Sequence, residues 1–325
     1  MRKRPRRPLR SDPVEGPPGA LGRALAARVG TVVLDKEDAV RLTVASVLAG
    51  GHVLIEDLPG VGKTSLAKAL AAAMGGSVGR VQGTPDLLPS DITGFGVFNP
   101  ATGEWAFRPG PVFHHVVLVD EINRATPRSQ SALLEAMAEG QVTVDGAVRP
   151  LPVPFCVLAT QNPQTDAGTF PLSPGQRDRF AVVVSLGLPA REAERAVVLG
   201  EGGAAALAQL QPVASIAHLL EARSELEQLH VASPVVDYVL DVVDAARHHP
   251  DVVVGISPRG SQMLFRVARA LAALDGRGYA TPDDVKAAAP AVLSHRLDVR
   301  GGPSSVAAGR RVIDDVLRSV PVPVP

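Results

Sequence analysis

The stretch Gly51-His-Val-Leu-Ile-Glu-Asp-Leu-Pro-Gly-Val-Gly-Lys-Thr-Ser-Leu66 constrains the fold more than any other part of the chain. Val53, Leu54 and Ile55 form a short apolar run bounded by Gly51 and Pro59, the pattern of a buried strand. Ser65 to Ala73 is rich in helix formers. A strand, a glycine loop and a helix in that order gather backbone N–H groups at a helix N-terminus, which suits a polyphosphate. Gly60 and Gly62 allow close backbone approach, Lys63 can reach β and γ phosphates, and the Thr64 hydroxyl can ligate Mg²⁺. The predicted contacts are Asp57, Leu58, Pro59, Gly60, Val61, Gly62, Lys63, Thr64 and Ser65. Asp57 stands where such loops usually begin with glycine. Aspartate tolerates left-handed backbone, so the turn is expected to survive, with a carboxylate near the phosphates.

A second chemical stretch is Phe113-His-His-Val-Val-Leu-Val-Asp-Glu-Ile-Asn-Arg124. Val116 to Val119 reads as a strand covered on both faces, ending in Asp120-Glu121. Alone, such a pair is a solvated strand end. In a nucleotide site, Asp120 can hold the Mg²⁺ shell while Glu121 polarises water, two jobs that explain two adjacent carboxylates. Phe155 to Ala159 is another buried strand, ending in Thr160-Gln161-Asn162-Pro163, and Asn162 can orient the attacking water. Arg177 and Arg179 are candidate arginine fingers for a neighbouring subunit's phosphate; the alternative is that Arg179 pairs with Asp178 or another acid. His114 and His115 point to opposite faces of a strand, and no further His/Cys spacing makes a metal cage.

Around these stretches the pattern alternates. Helices are predicted over Leu21–Val29, Lys36–Leu48 and Ser129–Glu139, the last with Ala132, Leu133, Ala136 and Met137 as its buried stripe. Val78–Gln82 and Ala181–Leu186 read as strands. Phe95–Asn99 with Glu104–Phe107, and Gln141–Val148 around Asp145-Gly146, read as hairpins. Past Pro189 the chain is helical: Arg191–Leu199, Ile216–Leu229, and helices opened by Ser233-Pro234, Ser257-Pro258 and Thr281-Pro282, the Ser serving as N-cap. Arg259 falls in the first turn of the middle one.

Thirty-three basic residues balance thirty-three acidic ones, which gives no argument for nucleic acid or membrane binding. With only 3% aromatic residues, the 46% apolar content packs mainly through Ala, Val and Leu. The lone Cys156 excludes an internal disulfide, fits a cytoplasmic protein, and lies in an apolar run that makes it a core residue. No apolar stretch approaches the ~20 residues of a membrane span.

With the glycine loop, Asp120-Glu121, Asn162 and Arg259 in that order, the chain resembles an AAA+ ATPase, and more narrowly the MoxR family. The resemblance covers roughly residues 25 to 300 and rests on long runs, among them Thr84-Pro-Asp-Leu-Leu-Pro-Ser-Asp91, Arg108-Pro-Gly-Pro-Val-Phe113, Gln130-Ser-Ala-Leu-Leu-Glu-Ala-Met137 and Ala159-Thr-Gln-Asn-Pro163. It implies an α/β fold: a P-loop core with a parallel sheet flanked by helices and carrying β-hairpin insertions, plus a small all-α C-terminal lid domain. The expected division is a disordered basic tail (1–20), the ATPase core (21–188), a helical connector (189–230), the lid (231–315) and a second tail (316–325).

Lys63 and Thr64 would be Walker A, Asp120 and Glu121 Walker B, Asn162 sensor 1, Arg179 the trans-acting finger and Arg259 sensor 2, coupling nucleotide state to lid rotation. Arg124 would lie near a subunit interface, and the hairpin around Asp145-Gly146 would be the helix-2 insert. The cofactors implied are ATP and Mg²⁺, and the partners are a hexameric ring of the chain itself, a von Willebrand A-domain protein and a client. The implied function is chaperone work on partner proteins, including metal-cofactor insertion. Alternatives are a magnesium-chelatase-like motor subunit, a nucleic-acid motor, or a nucleotide-gated scaffold with little turnover. Three positions depart from the family pattern: Asp57, Asp35-Lys36 in place of Gly-Gln, and Ser173-Pro-Gly-Gln-Arg177 in place of Pro-Glu-Ala-Gln-Leu.

Overall fold

A computed structural model describes residues 18–57, 60–162, 168–300 and 305–323. The predicted contacts Leu58 and Pro59, and most of the basic tail, lie outside them. Five strands form the central sheet: β1 (Val53–Glu56), β2 (Val78–Gln82), β5 (Val116–Asp120), β8 (Cys156–Gln161) and β9 (Val182–Val184). All neighbours are parallel, in the order β2-β5-β8-β1-β9. Every residue of β5 is buried, as expected for a strand covered on both faces.

One face carries α1 (Pro18–Gly30), α2 (Glu37–Leu48) and α3 (Lys63–Ala73), with Val53, Ile55, Leu118 and Leu158 packed against Leu25, Val44, Leu66 and Leu70. The other face meets α4 (Pro89–Thr93) and α5 (Pro127–Glu139) through Leu54, Val117, Val157, Ile92 and Leu133. α1 begins three residues earlier than the expected tail boundary, and Pro18 and Gly19 are buried, so residues 18–20 belong to the packed structure. The stripe of α5 is rotated from expectation: Leu134 and Gln130 are buried, whereas Ala132 is half-buried. Cys156 sits in the core, where burial pushes its thiol up to about 12.

Two hairpins interrupt the crossovers. The first, β3 (Gly94–Asn99) and β4 (Glu104–Pro109), follows α4 between β2 and β5. The second, β6 (Gln141–Val144) and β7 (Ala147–Pro150), turns through Asp145 and Gly146, both with positive φ, between α5 and β8. The insertion into the crossover after β2, where a second helix would run, is therefore residues 94–109. This corrects the expectation that placed a helix-2 insert at Asp145-Gly146. The first hairpin leaves Phe95, Val97, Phe98 and Trp105 exposed, Trp105 at 74%, with the Phe98 and Trp105 rings 5.4 Å apart.

α6 (Pro174–Arg177) precedes β9; α7 (Arg191–Val198), α8 (Gly203–Ala208) and α9 (Ile216–Glu227) connect to the lid. The lid holds α10 (Ser233–Arg247), α11 (Pro258–Leu274), α12 (Pro282–Leu293) and α13 (Val306–Ser319), plus a small antiparallel ladder of β10 (Val252–Val254) and β11 (Asp298–Val299). Ser257 caps α11 by accepting from Gly260 N, whereas Ser233 is the first helical residue of α10 and caps nothing. α13 buries Val312, Ile313 and Val316, so the helix runs past the expected 316 boundary to Ser319.

Candidate active site

The carboxyl ends of β1, β5 and β8 open onto one cavity of about 360 Å³ at the start of α3. Of the predicted residues it gathers Gly60, Gly62, Lys63, Thr64, Ser65, Asp120, Glu121 and Asn162. Gly60 (φ 86°) and Gly62 (φ 101°) adopt backbone that side chains rarely take, and nothing lies within 4 Å of where a Cβ would project. The result is an open cradle above the first amides of a helix, fitted to an anion. The Thr64 hydroxyl and the Asp120 carboxylate are hard oxygen donors in the same cavity, a donor set that fits Mg²⁺. Lys63 Nζ donates to the carbonyl of Asp57 at 3.0 Å.

Asp57 plays a different part from the one its position predicts. Among the described residues, the non-glycine positions with positive φ are Asp35, Glu121 and Asp145, so Asp57 needs no left-handed backbone. Its Oδ2 accepts from Leu186 N (2.5 Å), Gly187 N (2.8 Å) and Ser185 Oγ (3.2 Å). The carboxylate is buried and ties the phosphate loop to the end of β9. Asp35 takes φ 59° where the family usually has glycine, and its Oδ2 accepts from Ala190 N at 2.8 Å. Lys36 Nζ donates to Leu188 O at 2.8 Å, so both residues anchor the segment that leaves β9.

Glu121 is held in left-handed conformation (φ 54°, ψ 53°), a strained backbone of the kind stored at active sites. Two neighbours that the sequence reading missed permit it. Glu121 N donates to Thr160 Oγ1 at 2.9 Å. Gly83 must be glycine, because a Cβ there would sit 2.1 Å from the Glu121 carbonyl oxygen. The Glu121 carboxylate meets Arg124 Nη1 at 3.0 Å. A third missed residue, Arg80, lines the cavity and reaches Asp120 Oδ2 with Nε and Nη2, both at 2.9 Å. Arg80 and Gln82 share the open face of β2 beside the Asp120 strand, and their spacing of two was visible in the sequence.

The arginines are elsewhere. Arg177 is buried and paired with Asp298 of the lid, which removes it as a finger; the departure from the family's leucine serves a core–lid ion pair. Arg179 Nη1 donates to Leu134 O at 3.1 Å. Arg259 follows Ser257, whose Oγ donates to Asp178; Asp178 in turn holds Arg296, which donates to Ala181 O. Ala181 N donates to His52 O, just before β1. The phosphate loop leaves β1 at the other end, about 15 Å away at strand rise. Neither Arg179 nor Arg259 lines the chain's own cavity.

Residues 52–182 match the model of the ATPase family associated with various cellular activities, and residues 244–316 match the AAA lid domain. The chain is 41% identical to the uncharacterized protein YeaC of Bacillus subtilis, covering 94% of this chain and 95% of that one. It is 38% identical to Chaperone MoxR1 of Mycobacterium tuberculosis, over 87% of this chain and 79% of the relative. A crystal structure described as an ATPase from Cytophaga hutchinsonii superposes with a TM-score of 0.84 at 34% identity, covering 94% and 97% of the two chains. With a phosphate cradle, paired strand-tip carboxylates and a helical lid in one chain, these likenesses show an ATP-hydrolysing protein that belongs to the MoxR family of AAA+ ATPases.

Proposed function

We propose that the chain is the repeating unit of an ATP-driven chaperone ring in which each hydrolytic site is finished by Arg179 and Arg259 of the adjoining subunit. One observation carries this reading: neither arginine lines its own cavity, and the segment that carries Arg179 meets the start of β1 through Ala181 and holds Ser257, two residues before Arg259, through Asp178. A head-to-tail contact that closes on itself brings that edge of one protomer to the open cavity of the next. Work on a client protein is supported by likeness to a relative named Chaperone MoxR1. Hexameric closure, a von Willebrand A-domain partner and cofactor loading belong to the same proposal.

The roles follow from the cavity. Amides at the start of α3 and the Lys63 ammonium hold the β and γ phosphates of ATP. Thr64 and Asp120 would hold Mg²⁺, which supplies neutralisation of phosphate charge when bound. Asn162 orients the attacking water and Glu121 accepts its hydrogen bond, so that water adds to the γ-phosphorus and ADP leaves. The incoming guanidiniums stabilise charge that builds on the transferred group, an effect worth ~10³–10⁵ in rate in nucleotide hydrolases generally.

The test mixes two inactive variants. Lys63→Ala has a dead cavity and intact arginines; Arg179→Ala has the reverse. Mixed in equal amounts they are expected to recover about a quarter of the wild-type rate, the product of two one-half chances in a ring of head-to-tail contacts. A mixture as inactive as its components overturns the reading. Glu121→Gln, which is expected to bind ATP without turning it over, then supplies trapped rings for asking whether aggregation of an unfolded protein is suppressed only with ATP.

A further inference from the structure

We propose that Asp178, Arg296 and Ser257 form a clamp that locks Arg179 and Arg259 into one unit, so that both guanidiniums reach the neighbouring subunit together. The inference rests on the trans-completed site argued above and names the positioning residues behind it. Asp178 immediately precedes Arg179, and Ser257 lies two residues before Arg259. Ser257 Oγ lies 2.9 and 2.8 Å from the two Asp178 carboxylate oxygens. The two arginines, 80 residues apart in sequence, are therefore joined through a single hydrogen-bonded link.

Arg296 fixes that link. Its side chain is 1% exposed. Nε donates to Asp178 Oδ1 at 2.9 Å, and Nη2 donates to the carbonyls of Phe180 (2.6 Å) and Asp178 (3.2 Å). Nη1 donates to Ala181 O at 3.2 Å and to Val292 O. The guanidinium thus gathers the segment before β9 and the end of α12, while Asp178 reaches α11 through Ser257. Burial lowers its pKa to about 10, which leaves it cationic at neutral pH.

The neighbouring His295 Nε2 lies 3.1 Å from Phe180 O and 2.9 Å from Arg296 Nη1, and Arg177 pairs with Asp298 alongside. A buried ion pair is a poor way to gain stability, because apolar side chains of the same volume do as well or better. What it supplies here is direction. The lid cannot turn against residues 178–181 without breaking these bonds, so the segment that carries Arg179 and the first turn of α11 that carries Arg259 keep one fixed spacing.

Two variants test the clamp. Asp178→Asn with Arg296→Met removes both charges together and leaves no lone buried ion; Ser257→Ala removes one hydroxyl and leaves the ion pair. For the double variant kcat is expected to fall about a hundredfold, the loss typical of a misplaced catalytic group, with KM for ATP unchanged because its own phosphate loop is intact. Ser257→Ala is expected to lose about tenfold in kcat on the same pattern. Mixing either with Lys63→Ala restores activity, since the Lys63→Ala subunits bring clamped arginines.

The Arg179→Ala and Lys63→Ala mixture runs beside them. Recovery there without recovery for the clamp variants overturns the clamp alone, and recovery in neither overturns the trans reading itself. Wild-type kcat in Ser257→Ala overturns the clamp even where the double variant fails to fold.

Discussion

Asp57→Gly restores the residue usual at the head of a phosphate loop, yet the structure predicts a weaker protein. The lost carboxylate oxygen accepts from Leu186 N, Gly187 N and Ser185 Oγ. Leu186 is buried, so its stranded N–H costs about 1–3 kcal/mol. Gly187 is half-buried and Ser185 exposed, so water recovers most of their two bonds. Glycine also gives the unfolded chain extra freedom, worth about 0.5–1 kcal/mol. The sum is about 3 kcal/mol, a fall of about 1 M in urea midpoint at a slope near 3 kcal/mol/M. Asp57→Asn is the control, because its amide oxygen can accept the same bonds without the charge, for a loss of about 1 kcal/mol. Urea unfolding followed by far-ultraviolet circular dichroism at pH 7.5, with ATPase rates beside it, reads both. A glycine variant that unfolds at the wild-type midpoint refutes the reasoning. So does an asparagine variant as damaged as glycine, since that result would trace the effect to the carboxylate's charge and not to the bonds its oxygen accepts.

His52 Nε2 donates to Met137 O and its Nδ1 accepts from Val157 N, which fixes the neutral ring; burial lowers its pKa from 6.5 to about 4. Because the unfolded state takes up this proton first, the stability is complete above pH 6.5 and is lost as pH falls towards 4, by about 3 kcal/mol. Urea midpoints across that range should fall more steeply for wild type than for His52→Gln, and parallel profiles contradict the assignment. Arg80→Met removes the cation that aligns Asp120 from a half-exposed site; kcat should drop several-fold while stability changes by less than about 1 kcal/mol. A wild-type kcat in this variant would remove Arg80 from the site.

The parts of the site legible in sequence are those that chemistry needs close together along the chain. Gly60 to Ser65 and Asp120-Glu121 each sit on one strand tip, so local pattern finds them. Thr160, Gly83 and Arg80 were not found because their roles depend on strand order: β8 and β2 flank β5 and deliver a hydroxyl, a missing side chain and a guanidinium to Asp120-Glu121. Arg259 is legible as a first-turn residue of α11, but its helix cap says where α11 starts and nothing about which end of the sheet it meets. The extent of α13 was the reverse case: Val312, Ile313 and Val316 carry helical spacing in plain view, and the run was cut short at a domain boundary.

Trp105 is the chain's only tryptophan, and it stands on the rim of the first hairpin, largely open to water. Its emission in the native protein already comes from a wet, polar surrounding, so melting the core hardly changes its colour. The indole is a poor witness to global unfolding and a local reporter for whatever comes to rest on that hairpin.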